Sequence, residues 1–212
     1  QFSYLVKFSV VSVIIISPLI VSLVFLQYEY GDDIRFTKKE QQGLELVKTA
    51  QNELLILASA IIDEKKDLSF TSQFANAQKE LSSEFDAKLS KKLTKYLQAD
   101  DPIDRFQQLS ELMQHIADYS NLELDLALDT SYLVTTLVRR LPALQLQVAQ
   151  ALKLARKVTQ AGSFTPDTYI ALSAANQKLP LMIAQTKQSL QVSWEANPMI
   201  SQQLAQKWTS LE

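Results

Sequence analysis

Residues 8–26 read FSVVSVIIISPLIVSLVFL, one unbroken apolar run with no charge in it. At about 1.5 Å per residue, a helix over this run is roughly 28 Å long, close to the hydrocarbon thickness of a bilayer. The pattern predicts a transmembrane helix over residues 4–30. A secretory signal carries a shorter core, about 7–15 residues, followed by a small-residue cleavage site. The run here is longer, and Gln27-Tyr28-Glu29-Tyr30-Gly31-Asp32-Asp33 offers no such site, so a retained span is the better reading. Tyr28 and Tyr30 suit an interfacial aromatic belt. Pro18 falls near the middle, where a membrane helix tolerates a kink.

Past Gly31 the pattern becomes amphipathic. Val47, Ala50, Leu54, Leu57 and Ile61 recur at spacings of three and four. Val134, Leu137, Leu141, Leu144, Val148, Ala151, Ala155 and Val158 repeat the same rhythm. Such seams pack helix against helix, and no stretch alternates with period two. The predicted helices are 36–66, 71–98, 102–119, 129–161 and 166–196, with a last segment from Pro198. Asp101-Pro102 and Thr165-Pro166-Asp167 place proline in a first helical turn, and Gly162 suits a helix end. The first helix can continue out of the membrane, with Gly31-Asp32-Asp33 as a weak joint. The fold class is all-α: an N-terminal transmembrane helix followed by an elongated antiparallel helical bundle over residues 31–212. About 180 residues suffice for one domain with a core of its own.

One echo occurs at an offset of 38 residues: Asp129-Thr130 with Asp167-Thr168, and Leu141-Pro142 with Leu179-Pro180. The plain reading is two neighbouring helices with similar starts and kinks. In an α-helix each proline would free the carbonyl four residues back, at Val138 and Asn176.

Composition removes several functions. Net charge is −2, and no basic stripe runs along a helix, so nucleic acid is not an expected partner. There is no cysteine and one histidine, which argues against a transition-metal site. No phosphate-binding loop, dinucleotide fingerprint, nucleophile elbow or zinc-protease motif occurs. His115 borders the apolar stripe Phe106, Leu109, Met113 and Ile116 and reads as a boundary residue. Glu123, Asp125 and Asp129 lack the glycine and spacing of a calcium loop. No enzyme activity, cofactor or metal is expected. Arg139 and Arg140, with Tyr132 upstream, read in one of two ways. They either fork an anionic ligand inside a bundle or form a surface pair bridging to a neighbouring helix. Trp194 and Trp208 suit an aromatic wall or the core, and Trp208 equally suits a membrane interface.

Two regions carry a resemblance. Ile34-Arg35-Phe36-Thr37-Lys38-Lys39-Glu40-Gln41-Gln42-Gly43-Leu44-Glu45 follows the first apolar run. Asp118-Tyr119-Ser120-Asn121-Leu122-Glu123-Leu124-Asp125 precedes Leu128-Asp129-Thr130-Ser131-Tyr132-Leu133 and Arg140-Leu141-Pro142. The chain resembles, over roughly residues 4–160, the helical periplasmic input domains of bacterial transmembrane receptors. It is most similar to methyl-accepting chemotaxis proteins and to relatives with diguanylate cyclase or histidine kinase outputs. Family members often carry a second tyrosine and a methionine where this chain has Leu133 and Val134, so ligand identity does not carry over.

The resemblance implies a sensory input domain at the bacterial inner membrane, with the bulk of the chain periplasmic and a homodimer as the assembly. A second span, a linker and an output module would follow Glu212. Counting Lys7 against Arg35, Lys38 and Lys39 would instead place the bundle in the cytoplasm. Gln1 is not a methionine, so residues are expected before it, and the resemblance decides the orientation. The expected partner is a small-molecule ligand or a ligand-loaded binding protein, with Arg139, Arg140, Tyr132 and Asn121 as candidate binding residues. The rival is a single-pass helical tether that binds a protein partner and senses nothing small.

Overall fold

The computed structural model describes residues 4–64, 87–122, 128–199 and 202. The first part of the predicted 71–98 helix, Glu123, Asp125, Trp208 and most of the segment after Pro198 lie outside these residues. Among the described residues every regular element is helical, and there is no strand. Two compact units are distinguished, residues 1–41 and residues 42–212.

Helix α1 runs from Tyr4 to Asp63 and contributes to both units. It passes Pro18 and Gly31 without a break. The first helix thus continues past Gly31-Asp32-Asp33: one helical glycine costs only about 1 kcal/mol relative to alanine, too little to end a helix supported on both sides. In the first unit, side chains 13–28 are all exposed, from Val13 through Ile20 and Phe25 to Tyr28. Among the described residues no helix is long and apolar enough to cross a membrane.

In the second unit the remainder of α1 is joined by α2 (Ala87–Gln98), α3 (Pro102–Tyr119), α4 (Leu128–Thr135), α5 (Leu141–Ala161) and α6 (Pro166–Ala196). The seam Val47, Ala50, Leu54, Leu57 and Ile61 is buried as its spacing predicts. It packs in one core with Tyr96, Phe106, Leu109, Met113, Ile116, Val134 and Val138. Each large side chain removed from water here contributes about 1.5–3 kcal/mol. Helix α3 starts where its sequence says: the Asp101 carboxylate accepts from the Ile103 and Asp104 amides, and Pro102 occupies the first turn. A reciprocal capping box between Thr165 and Thr168 starts α6, and Gly162, at φ +69°, ends α5.

Helices α4 and α6 are antiparallel. Ser193 Oγ donates to the Asp129 carbonyl at 2.6 Å, and Ser189 Oγ to that of Tyr132 at 3.4 Å. Thr186, Ser189 and Ser193 are buried, and such short side chains let the two backbones approach.

Between α4 and α5 lies a π-helical turn, Thr136–Arg140, closed by the Leu141 amide donating to the Thr136 carbonyl. Pro142 has no amide to offer. In α register its missing bond would free Val138; one residue of π offset moves the vacancy to Leu137. The side-chain amide of Gln51, from α1, donates to the Leu137 carbonyl. The extra residue also turns the buried face. Val134, Val138, Pro142 and Ala149 are buried and Leu137, Leu141, Leu144, Ala151, Ala155 and Val158 half-buried, whereas Val148 and Leu152 of α5 are exposed, so the heptad line expected from Val134 to Val158 is broken at Val148. At Pro180, α6 continues as ordinary α-helix, and the echo between the two Leu-Pro pairs does not extend to their backbone.

Candidate functional site

Asn121 is placed by backbone geometry. It adopts φ +61° directly after the last turn of α3, a left-handed conformation that asparagine tolerates better than most residues. Its amide donates to the Asp118 carbonyl at 3.2 Å, and the Leu122 amide to that of Ala117 at 3.0 Å. These two bonds are a Schellman termination, and buried Leu122 supplies the apolar contact that accompanies it. Ser120, just before, is 1% exposed, and its hydroxyl donates to the Ile116 carbonyl at 2.6 Å. Directly opposite lies Gly43: a Cβ built there would come within 2.1 Å of Ser120 Oγ and 3.4 Å of Leu122 Cδ1. Two segments that carry the resemblance, one containing Gly43 and one containing Ser120-Asn121-Leu122, therefore meet at a helix crossing.

The other candidate residues do not join Asn121 in a pocket. Arg139 is exposed and faces Asp118 at 3.7 Å, the bridging geometry of a surface pair, worth about 0–1 kcal/mol. Arg140 is half-buried, with its Nε buried and without a hydrogen-bond partner. Tyr132 is partly exposed, and its carbonyl accepts from Thr136 and Ser189. His115 is half-exposed, with Nδ1 4.0 Å from Asp118. Asp118 is the meeting point of Arg139, through its carboxylate, and Asn121, through its carbonyl. None of the four candidates lines either of the cavities described next.

Those cavities lie at the other end of the unit and share two walls, Glu64 and Lys153. The larger, about 250 Å³, is lined by Ala60, Ile61, Glu64, Asp101, Pro102, Ile103 and Lys153. The smaller, about 120 Å³, adds Asp63, Arg156, Lys157 and Gln160. Opposite charges from α1 and α5 pair across them. Arg156 meets Asp63 at 2.9 Å, Lys157 meets Glu64 at 3.0 Å and Lys153 meets Glu64 at 3.5 Å. The hydrogen bond from Lys157 holds the Glu64 carboxyl below the usual range, with Lys153 adding to it. Glu64 itself sits at φ +53°, a strained position for a residue with a Cβ.

A buried polar group between α1, α2 and α3 went unread in the sequence. The Tyr96 hydroxyl, fully buried, donates to Glu53 Oε1 at 3.2 Å, and Arg105 Nε donates to the Ala99 carbonyl at 2.8 Å. Burial, and then the Glu53 charge, push the Tyr96 hydroxyl strongly up. The only trace in the sequence is a carboxylate, Glu53, beside the seam residue Leu54. Among the described residues no group of acids and histidines could hold a metal ion. Comparisons with protein families, with curated proteins and with solved structures give no match.

Proposed function

We propose that the chain is a membrane-anchored sensory input unit of a bacterial receptor, with its bundle outside the cytoplasm. The observation that carries this is helix α1. Residues 13–28 expose apolar side chains on every face, which water does not favour and lipid does. The same helix supplies Leu46, Val47, Ala50, Leu54, Leu57 and Ile61 to the bundle core. A change in how the bundle grips this helix is thereby a change in the anchor, the kind of element that 1–2 Å helix shifts use. A ligand moves such an equilibrium only by its differential affinity for the two arrangements. The resemblance to chemoreceptor input domains supports the same reading, with a homodimer as the assembly and a small solute or loaded binding protein as the signal.

The chain has no cysteine, so one introduced thiol reports topology cleanly. Ser163→Cys, at an exposed turn, is expected to react with a membrane-impermeant maleimide in intact cells, with the protein in the membrane fraction after alkaline extraction. A protein that extracts as soluble, or a thiol protected until the cells are lysed, would overturn the proposal.

A further inference from the structure

The cleft at the end of α1 combines a cavity, a carboxylate in a left-handed backbone conformation and a set of ion pairs in which one lysine is held at the longer distance. Arg156 is matched by Asp63. Glu64 then serves two ammonium groups, and its contact with Lys153 is the longer one, 3.5 Å against 3.0 Å for Lys157. Among the described residues lining the two cavities, three cations face the carboxylates of Asp63, Glu64 and Asp101, and Lys153, on the shared wall, holds its carboxylate partner at the longest distance of the three. Beside it the larger cavity offers hydrocarbon from Ala60, Ile61, Pro102 and Ile103. Asp101 stands on the same wall set, with one carboxylate oxygen engaged by the first turn of α3.

We propose that this cleft binds a small aliphatic monocarboxylate. The ligand's carboxylate takes Lys153 from Glu64, and its hydrocarbon body lies against Ala60, Ile61, Pro102 and Ile103. Asp101 selects against a second negative charge on the ligand. The volume, about 250 Å³, is below the usual range of about 300–1,000 Å³ for drug-sized ligands, so the body is a few carbons long. Glu64 acts as an internal competitor held in a conformation that side chains rarely adopt. Its release from Lys153 removes one of the ties between α1 and α5 and leaves the Lys157 and Arg156 ties in place. This site deepens the sensory reading and rests on it.

The test is calorimetric titration of the full chain in detergent micelles at low salt, with sodium butyrate as probe and butyramide as its neutral counterpart. Butyrate should bind at one site with a dissociation constant on the order of millimolar, and butyramide should not. Lys153→Met should weaken butyrate about tenfold or more, since a charge-assisted contact is lost. Glu64→Gln should tighten it severalfold, because the competing carboxylate is gone. That last sign separates a ligand site from a purely structural ion cluster, in which Glu64→Gln only loosens the fold. If Lys153→Met does not fold, the Glu64→Gln titration decides alone. No butyrate binding to the unmodified chain, binding indifferent to Lys153→Met, or weaker binding to Glu64→Gln each overturns the site. Failure here alongside impermeant labelling of Ser163→Cys removes only this ligand, whereas failure of the labelling removes the receptor reading itself.

Discussion

Replacing Gly43 by alanine puts a methyl group where Ser120 already is. The new carbon would lie 2.1 Å from Ser120 Oγ and 2.2 Å from Ser120 Cβ. Turning the serine side chain moves the oxygen, but its Cβ is fixed to the backbone of the α3 termination, so α1 must draw back instead. Overpacking of this kind costs about 1–3 kcal/mol, and a contact with backbone-fixed carbon belongs near the top of that range. Against it stands a gain of about 1 kcal/mol from replacing a helical glycine by alanine. The expected net loss is about 2 kcal/mol, a fall in melting temperature of roughly 4–8 °C for a unit of this size. Thermal melts of the chain in micelles, followed by far-ultraviolet circular dichroism, measure it. The same substitution in a Ser120→Gly background should reverse sign and stabilise by about 1 kcal/mol, because only the propensity gain is left. A Gly43→Ala chain as stable as the parent would refute the close approach of α1 to the α3 end.

Tyr96→Phe should cost about 1 kcal/mol, since Glu53, only 4% exposed, loses one hydrogen-bond donor; a denaturation midpoint unchanged within error would sink this assignment. Asn121→Gly should be neutral or slightly stabilising, and Asn121→Ala should lose about 1 kcal/mol, the cost of a left-handed residue with a Cβ, while ligand binding is untouched by either. Asp129 is held below the usual carboxyl range, chiefly by the Asn197 amide at 2.7 Å and then by the Thr130 amide. Its folded value being the lower one, the stability it lends is complete above about pH 4 and is lost as pH falls through that depressed value. Asn197→Ala should raise the Asp129 midpoint in a carboxyl NMR titration; an unmoved midpoint contradicts the contact.

Local signals were legible in the sequence, and tertiary ones were not. The α1 seam, the Asp101-Pro102 and Thr165-Pro166 starts and the Gly162 end are set within one or two turns of chain, where spacing and capping chemistry decide. Gly43 and Ser120-Asn121-Leu122 stood out only through a resemblance, because their use depends on two helices crossing. Arg139 and Arg140 carry the same charge next to one another, yet one faces Asp118 on the surface and the other is half-buried. Adjacent helical positions point about 100° apart, and composition says nothing of what stands opposite. The cleft was hidden for a related reason: Asp63 and Glu64 meet Arg156, Lys157 and Lys153 only after roughly 90 residues of intervening chain.

The π turn at Thr136–Arg140 also bears on how such a chain could be inherited or recombined. Its offset is chosen jointly by Pro142, which withholds an amide, and by Gln51, which supplies one from a helix more than eighty positions earlier. A hybrid taking α1 from one parent and α4–α5 from another would keep both apolar patterns. It would still leave the Leu137 carbonyl without its side-chain donor unless the α1 parent carried glutamine at the matching position. Covariation between these two sites, more than similarity at either, is the mark to seek in chains that share this bundle.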